Sequence, residues 1–335
     1  MVCPVFHCQR TLDFLKRDRR DMETAYTREG YGQEIVELGK EDPDIVVLEA
    51  DISSSTKTCY FAEAFPERFF NVGVSEQNEA MVAAGLASTG LIPFLSTYSV
   101  FASMRACEQV RTFICYTNLD VKIAVSHGGL TPCTDGVTHQ ATEDLGIMRT
   151  LPNMTIIAPT DYHMSRAAVR AAAYTKGPVY LRFTRDKLPV IYDAGMDFKV
   201  GRSIRLKEGG DAAIISIGDM THIALEAVEL LKKEGIEVRL IDMPTLKPID
   251  AAAIIEAAAD TGAIVTAEDH QIHNGLGSAV AEVLSENIPT PMARIALPDT
   301  FARSGEYLAL LDMYGMGPSH IADAVKKTID RKARA

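Results

Sequence analysis

The chain has 335 residues, 47% of them hydrophobic, and a formal net charge of -11 from 45 acidic and 34 basic side chains. That length exceeds one typical core and implies two domains with a large buried interior. The acidic balance excludes a chain-wide attraction for phosphate backbones or anionic lipid, and no run approaches the roughly 18 apolar residues of a membrane span, so neither nucleic acid nor membrane is an expected partner.

Residues 1–24 read as a solvated N-terminal arm carrying the KRDRR cluster. No basic head followed by an unbroken apolar segment opens the chain, so the expected location is cytoplasmic. Cys3, Cys8, Cys59, Cys107, Cys115 and Cys133 include no C-x-x-C pair. A large chain of this kind keeps its thiols reduced, and neither disulfide nor structural zinc is expected. His7 between Cys3 and Cys8 lacks a second Cys/His pair at ligand spacing, so no metal site is assigned.

From residue 27 short apolar strands alternate with amphipathic helices, the pattern of parallel sheets covered on both faces. The fold class is α/β, with a first domain over 25–190. Its strands are DIVVLEAD, NVGV, LIPFLSTY, VKIAVSH, MTIIAPT and PVYLRFTR. Helices are expected over TREGYGQEIVELGKE, SVFASMRACEQVRTFICYTN and DYHMSRAAVRAAAYTKG. Pro, Gly and mixed charge interrupt the rhythm from residue 186, and 191–210 reads as a linker. A second α/β unit over 211–335 follows, with strands DAAIISIGD, EVRLIDM, AIVTAEDH and MARIALP.

Several polar stretches sit at strand ends, where open parallel sheets bind ligands. Ser75 and Glu76 open a helix and fit an N-cap with an acid in the first turn. SHGGLTPCTDGVTHQATED, residues 126–144, is long and dense in polar groups, and brings His127, Asp135 and His139 to such an end. Alone it also reads as a solvated surface loop. Gly128, Gly129 and Gly136 would let its backbone approach a ligand. Ser53, Ser54 and Ser55 read as a helix cap, and Arg28 and Arg185 as anion holders or as surface charge. HNGLGSAV mimics a dinucleotide fingerprint but has Val280 at the third glycine position, and close helix packing accounts for Gly275 and Gly277. Glu268, Asp269 and His270 read as solvated strand-end groups.

Jointly, GVSEQNEAMVAAGLA, SHGG with TDGVTHQ, LPNMTIIAPTD and LRFTR resemble the C-terminal half of the transketolase family, in the family's order, from about residue 25 to the end. The eight-then-four spacing of His127, Asp135 and His139 matches as well. The resemblance implies two domains, each a mostly parallel sheet with helices on both faces: a pyrimidine-binding domain and a transketolase C-terminal domain. It implies thiamine diphosphate as cofactor, with Glu76 protonating the aminopyrimidine ring from a mostly dry pocket. Tyr98 and Phe101 would pack on that ring, with Met104 where many transketolases carry a third aromatic, and Asp51 would lie near the cofactor across a subunit contact. Asp135 and His139 would bond ketose hydroxyls, His139 also serving catalysis. Arg28, Ser55, His127 and Arg185 would receive a sugar phosphate, whose oxygens suit planar guanidinium donors.

No Gly-Asp-Gly occurs in the sequence. The resemblance therefore implies a split transketolase, in which an N-terminal partner subunit supplies the diphosphate site and Mg2+, in an α2β2 assembly. The related E1 β subunits of 2-oxoacid dehydrogenases and the deoxyxylulose phosphate synthases share the layout. A third alternative is a non-catalytic relative that kept the fold.

Overall fold

The structure, a computed structural model, describes residues 23–334. The Cys3, His7 and Cys8 group lies outside them, as does the arm apart from its last two residues. The first unit runs β1 (Thr24–Tyr26), α1 (Thr27–Glu41), β2 (Ile45–Glu49), the short helices α2 (Ser53–Thr56) and α3 (Cys59–Ala64), β3 (Phe69–Asn71), α4 (Glu76–Ser88) and β4 (Ile92–Ser96). An irregular helix of three pieces follows, Phe101–Arg105, Cys107–Gln109 and Val110–Cys115, and then β5 (Lys122–Val125), α5 (Asp144–Arg149), β6 (Thr155–Ile157), α6 (Tyr162–Tyr174), β7 (Val179–Arg182) and β8 (Lys187–Pro189). The second unit runs β9 (Ile204–Lys207), β10 (Ala212–Ser216), α7 (Met220–Lys233), β11 (Val238–Asp242), β12 (Thr245–Lys247), α8 (Ala251–Thr261), β13 (Ile264–Gln271), α9 (Leu276–Asn287), β14 (Met292–Leu297), α10 (Tyr307–Met313) and α11 (Pro318–Lys332).

Runs such as IVVLE and KIAV are buried along their whole length, because helices cover both sheet faces and β-branched side chains fill the space between. The first sheet has seven strands in the order β12-β6-β7-β5-β4-β2-β3, parallel except for β12. The second has five, β14-β13-β10-β11-β9, with β9 antiparallel. β12 belongs in sequence to the second unit yet completes the edge of the first sheet, so the two units share a sheet margin. They also share a core: Leu95, Ile123 and Ile156 join Ile215, Ile241 and Leu276 in one apolar cluster.

Some sequence expectations are corrected. The strand expected over NVGV lies earlier, at Phe69–Asn71, because Gly73 turns the chain through the left-handed region. Ser75 does not cap α4; its hydroxyl donates to the Val72 carbonyl at 2.9 Å. Nor does a serine cap α2. The polar work after β2 falls to Thr56 and Thr58, whose hydroxyls donate to the buried Glu49 carboxyl at 2.7 and 2.6 Å. Within the stretch read as a linker, Ile191 and Tyr192 are buried and donate their amides to Asp161, and β9 pairs with β11. No helix among the described residues is long and apolar enough to cross a membrane.

Candidate cofactor and substrate cleft

The predicted site residues gather at the carboxyl edge of the first sheet. Beyond β4 the chain keeps pace with the strand beside it: the Ser126 amide donates to the Thr97 carbonyl at 3.1 Å, and the Ser99 amide to the Ser126 carbonyl at 2.8 Å. This extension brings the Tyr98 and His127 rings to 3.9 Å between centroids. Phe101 and His139 close the group, with centroids 5.8 Å from Tyr98 in each case and 5.6 Å from each other. The result is an aromatic wall assembled from two separate loops, with edge-to-face contacts at His139 of the kind aromatic rings favour.

Glu76 stands at one end of this wall. It is the first residue of α4 and only 2% exposed, and a carboxylate buried to that degree needs a partner. Arg105 provides it, its Nη1 donating to both carboxylate oxygens at 2.8 Å while its guanidinium lies 4.2 Å from the Phe101 ring centroid. Sequence reasoning missed Arg105. The signal was its four-residue offset from Phe101, which places the two side chains on one helix face. One turn beyond Glu76, the fully buried Glu79 accepts the Ser96 amide at 3.0 Å. Burial, then the neighbouring Glu49 charge, push its pKa well above the usual carboxylate range. Glu49 itself is raised to about 7 by burial, against the pull of four hydrogen bonds.

The other end of the wall is cationic. Arg28 donates to the Ser55 carbonyl at 2.8 Å, so Ser55 engages it through backbone, and Arg28 Nε is buried with no hydrogen-bond partner among the described residues. Burial and then the nearby Arg185 charge lower the Arg28 pKa. Arg185 lies 3.3 Å from Asp135 and 3.5 Å from Asp186. Two guanidinium groups that repel one another, one with an unspent donor, suit an anion such as phosphate. Met104 is exposed, and Asp51 stands apart, exposed and in the left-handed region, its carboxylate accepting from Asn71 at 2.9 Å.

His127 reports the same field. Burial, then Arg28, Arg185 and His139, hold its pKa down to about 3 from the ordinary 6.5. Between those values the unfolded chain takes up a proton that the folded chain refuses, so stability falls as pH drops through that window. His127→Gln should remove this contribution. Urea midpoints of the variant should then fall less steeply than wild type from about pH 6 to about pH 4. Equal slopes would mean that His127 protonates freely in the folded chain.

The loop over 126–144 is held by the second unit. Both Asp269 oxygens accept the Leu130 amide, at 3.0 and 2.8 Å, and the Gln140 side chain donates to the Arg303 carbonyl at 3.1 Å. Gly128 and Gly129 are corrected in role: a Cβ on Gly128 would meet Arg182, and one on Gly129 would meet Asp269, so it is protein rather than ligand that they admit. Gly136 faces Ser304 in the same way. Glu268, Asp269 and His270 are not solvated but buried. Glu268 accepts the Leu276 and Gly277 amides at the start of α9, and His270 accepts the Gly146 amide. Gly275 and Gly277 pack closely on β13 and its surroundings, as expected.

An acid, an aromatic wall and a cationic end thus lie on one parallel-sheet edge of a two-domain α/β chain. The profile of the transketolase pyrimidine binding domain matches residues 23–190, and that of the transketolase C-terminal domain matches residues 201–321. The chain belongs to the transketolase family. It is 45% identical over 308 residues to a Methanocaldococcus jannaschii protein provisionally assigned as a transketolase C-terminal section, covering 91% of this chain and 96% of that one. It is 38% identical over 311 residues to the 6-deoxy-6-sulfo-D-fructose transketolase subunit SqwH of Clostridium sp., covering 93% and 97%. A solved split-gene transketolase, an inactive β4 tetramer, is 50% identical with a TM-score of 0.86, covering 92% of this chain and all of that one.

The family depends on thiamine diphosphate, and the residues present fit one half of that cofactor. Glu76 is a buried carboxyl linked through Arg105 to the aromatic wall, and a carboxyl beside apolar rings suits a flat nitrogen heterocycle. Among the described residues no three His, Cys, Asp or Glu side chains group as a metal site.

Proposed function

We propose that the chain is the C-terminal subunit of a split transketolase, moving a two-carbon ketol unit from a ketose phosphate to an aldose acceptor together with an N-terminal partner subunit. The observation that carries this reading is the series of contacts from Glu76 through Arg105, Phe101 and Tyr98 to His127, with His139 packed on both Phe101 and Tyr98 and with the Arg28 and Arg185 charges acting on His127. An acid for a heterocycle and cations for a phosphate are thus linked through one run of side chains at the sheet edge.

Bound thiamine diphosphate supplies the carbanion and the electron sink for breaking the carbon–carbon bond. Glu76 holds a proton at the cofactor's pyrimidine ring nitrogen, while Tyr98 and Phe101 flank the ring and exclude water. His139 and Asp135 orient the sugar hydroxyls. Arg28 and Arg185 fix the terminal phosphate, joined by neutral His127, which donates or accepts a hydrogen bond without adding charge. Asp135 leaves Arg185 to do so, because the phosphate replaces it as counter-ion. Asp51 completes the cofactor end at the contact with the partner, which brings the diphosphate and Mg2+ site in a cytoplasmic α2β2 assembly.

The related β4 tetramer is inactive by itself, and the same is expected of this chain. Purified alone it should neither bind thiamine diphosphate tightly nor turn over ketose phosphates. Mixing with an N-terminal transketolase section and Mg2+ should restore both, read by calorimetry and by a coupled assay of aldose phosphate release. Robust turnover by the isolated chain would overturn the proposal.

A further inference from the structure

Arg105 has no chemical role in the proposed function, yet its side chain touches both the proposed acid and the proposed ring wall. It sits at the end of a wide helical turn, Phe101–Arg105, closed by a bond from the Ala106 amide to the Phe101 carbonyl at 3.0 Å. Such wide turns recur at functional positions, where they re-aim side chains. Here the turn folds the guanidinium back over Phe101 and onto Glu76.

Two features distinguish this pair from a permanent structural bridge. A single nitrogen serves both oxygens, 2.8 Å from each, in place of the two-nitrogen fork that makes arginine–carboxylate pairs strong. The partners are also unequally buried: the Arg105 side chain is 47% exposed and that of Glu76 only 3%. Arg105 can swing into water at little cost, whereas Glu76 cannot leave. The carboxylate therefore needs a counter-ion whenever the cleft lacks a ring nitrogen to satisfy it.

We propose that Arg105 is a positioning residue for Glu76: a removable counter-ion that holds the buried carboxylate in place until the cofactor's pyrimidine ring binds, and then gives it up. This rests on the split-transketolase reading for the identity of the ring, but the pairing itself does not. Arg105 thereby lowers cofactor affinity in exchange for an ordered acid, and couples loading of the cleft to a rotation at the protein surface.

Melting of the isolated chain tests the pairing. Arg105→Met should lower the midpoint by about 2–4 °C, Arg105→Lys by less, and Arg105→Met should have no further effect once Glu76→Gln is in place. Calorimetric titration with thiamine diphosphate and Mg2+, in mixtures with an N-terminal transketolase section, tests the release. Arg105→Met should bind about tenfold tighter than wild type, Arg105→Lys like wild type, and the gain should vanish in the Glu76→Gln background. Additive melting effects would overturn the counter-ion, and unchanged or weaker binding by Arg105→Met would overturn its release. No binding by the wild-type mixture would instead count against the cofactor reading and the release step built on it, while the melting cycle still decides the pairing.

Discussion

Glu76→Gln in the enzyme reconstituted with its N-terminal partner is expected to lower kcat by about 10²- to 10⁴-fold, the loss typical of a missing acid or base group. Glutamine keeps the volume and carries no charge that needs a counter-ion, so the fold should persist and circular dichroism should be unchanged. What it cannot do is carry the proton at the ring nitrogen. Because the phosphate falls to Arg28 and Arg185 and not to Glu76 in the proposed function, KM for the ketose phosphate should move much less than kcat. Glu79→Gln is the matched control. Glu79 lies in the same helix one turn later, and its environment already favours the neutral form, for which glutamine is a close substitute. Turnover of that variant should stay within a few-fold of wild type. Equal losses in both would mean that the helix, not the Glu76 carboxyl, carries the effect, and an unchanged Glu76→Gln rate would remove Glu76 from catalysis.

Much of this was legible in the sequence because parallel sheets leave a local trace. IPFLS, KIAV and VYLR are largely buried strands whose neighbours are helices, and their carboxyl ends bring Tyr98, His127 and Arg185 to one edge whatever the details of packing. The irregular helix after β4 left no comparable trace, and the partner that Arg105 meets from it, Glu76, lies 29 residues away in sequence. The same limit explains why Asp269 and His270 looked solvated: they meet Leu130 and Gly146, 139 and 124 residues away, while Glu268 turns onto the start of α9. Gly128 and Gly129 read in sequence as points where a ligand is admitted, but Arg182 and Asp269, distant along the chain, occupy that space instead. β12 was missed for a related reason. Three residues carry too short a pattern to register, and its partner strand lies in the other unit.

Those distant contacts converge on Arg182, and replacing it should produce the largest loss of stability in the chain. Its side chain is almost wholly buried. Nε donates to Asp144 at 2.9 Å, and Nη2 donates to the Ala141 and Asp269 carbonyls at 3.1 and 2.9 Å. Tyr180 adds a bond to the same Asp144 oxygen at 2.8 Å. One guanidinium therefore ties β7, the loop over 126–144 and β13 together, across the boundary between the two units. Arg182→Met leaves Asp144 buried without its cation, a defect that costs about 3–5 kcal/mol when one partner of a buried pair is removed. Urea denaturation of the isolated chain should register a loss of that size. Amide exchange should accelerate first at Leu130 and Gly146, because Asp269 and His270 lose their alignment with the loop. Adding Asp144→Leu to Arg182→Met should recover part of the loss, since two apolar side chains leave no stranded charge. The recovery separates the ion pair from simple packing: if the double variant is as unstable as the sum of the singles, Arg182 acts by filling space. The functional consequence follows from the same geometry. A loop released from β13 no longer holds His127 against Tyr98, so phosphate and ring positions loosen together and kcat/KM should fall even where the chain remains folded.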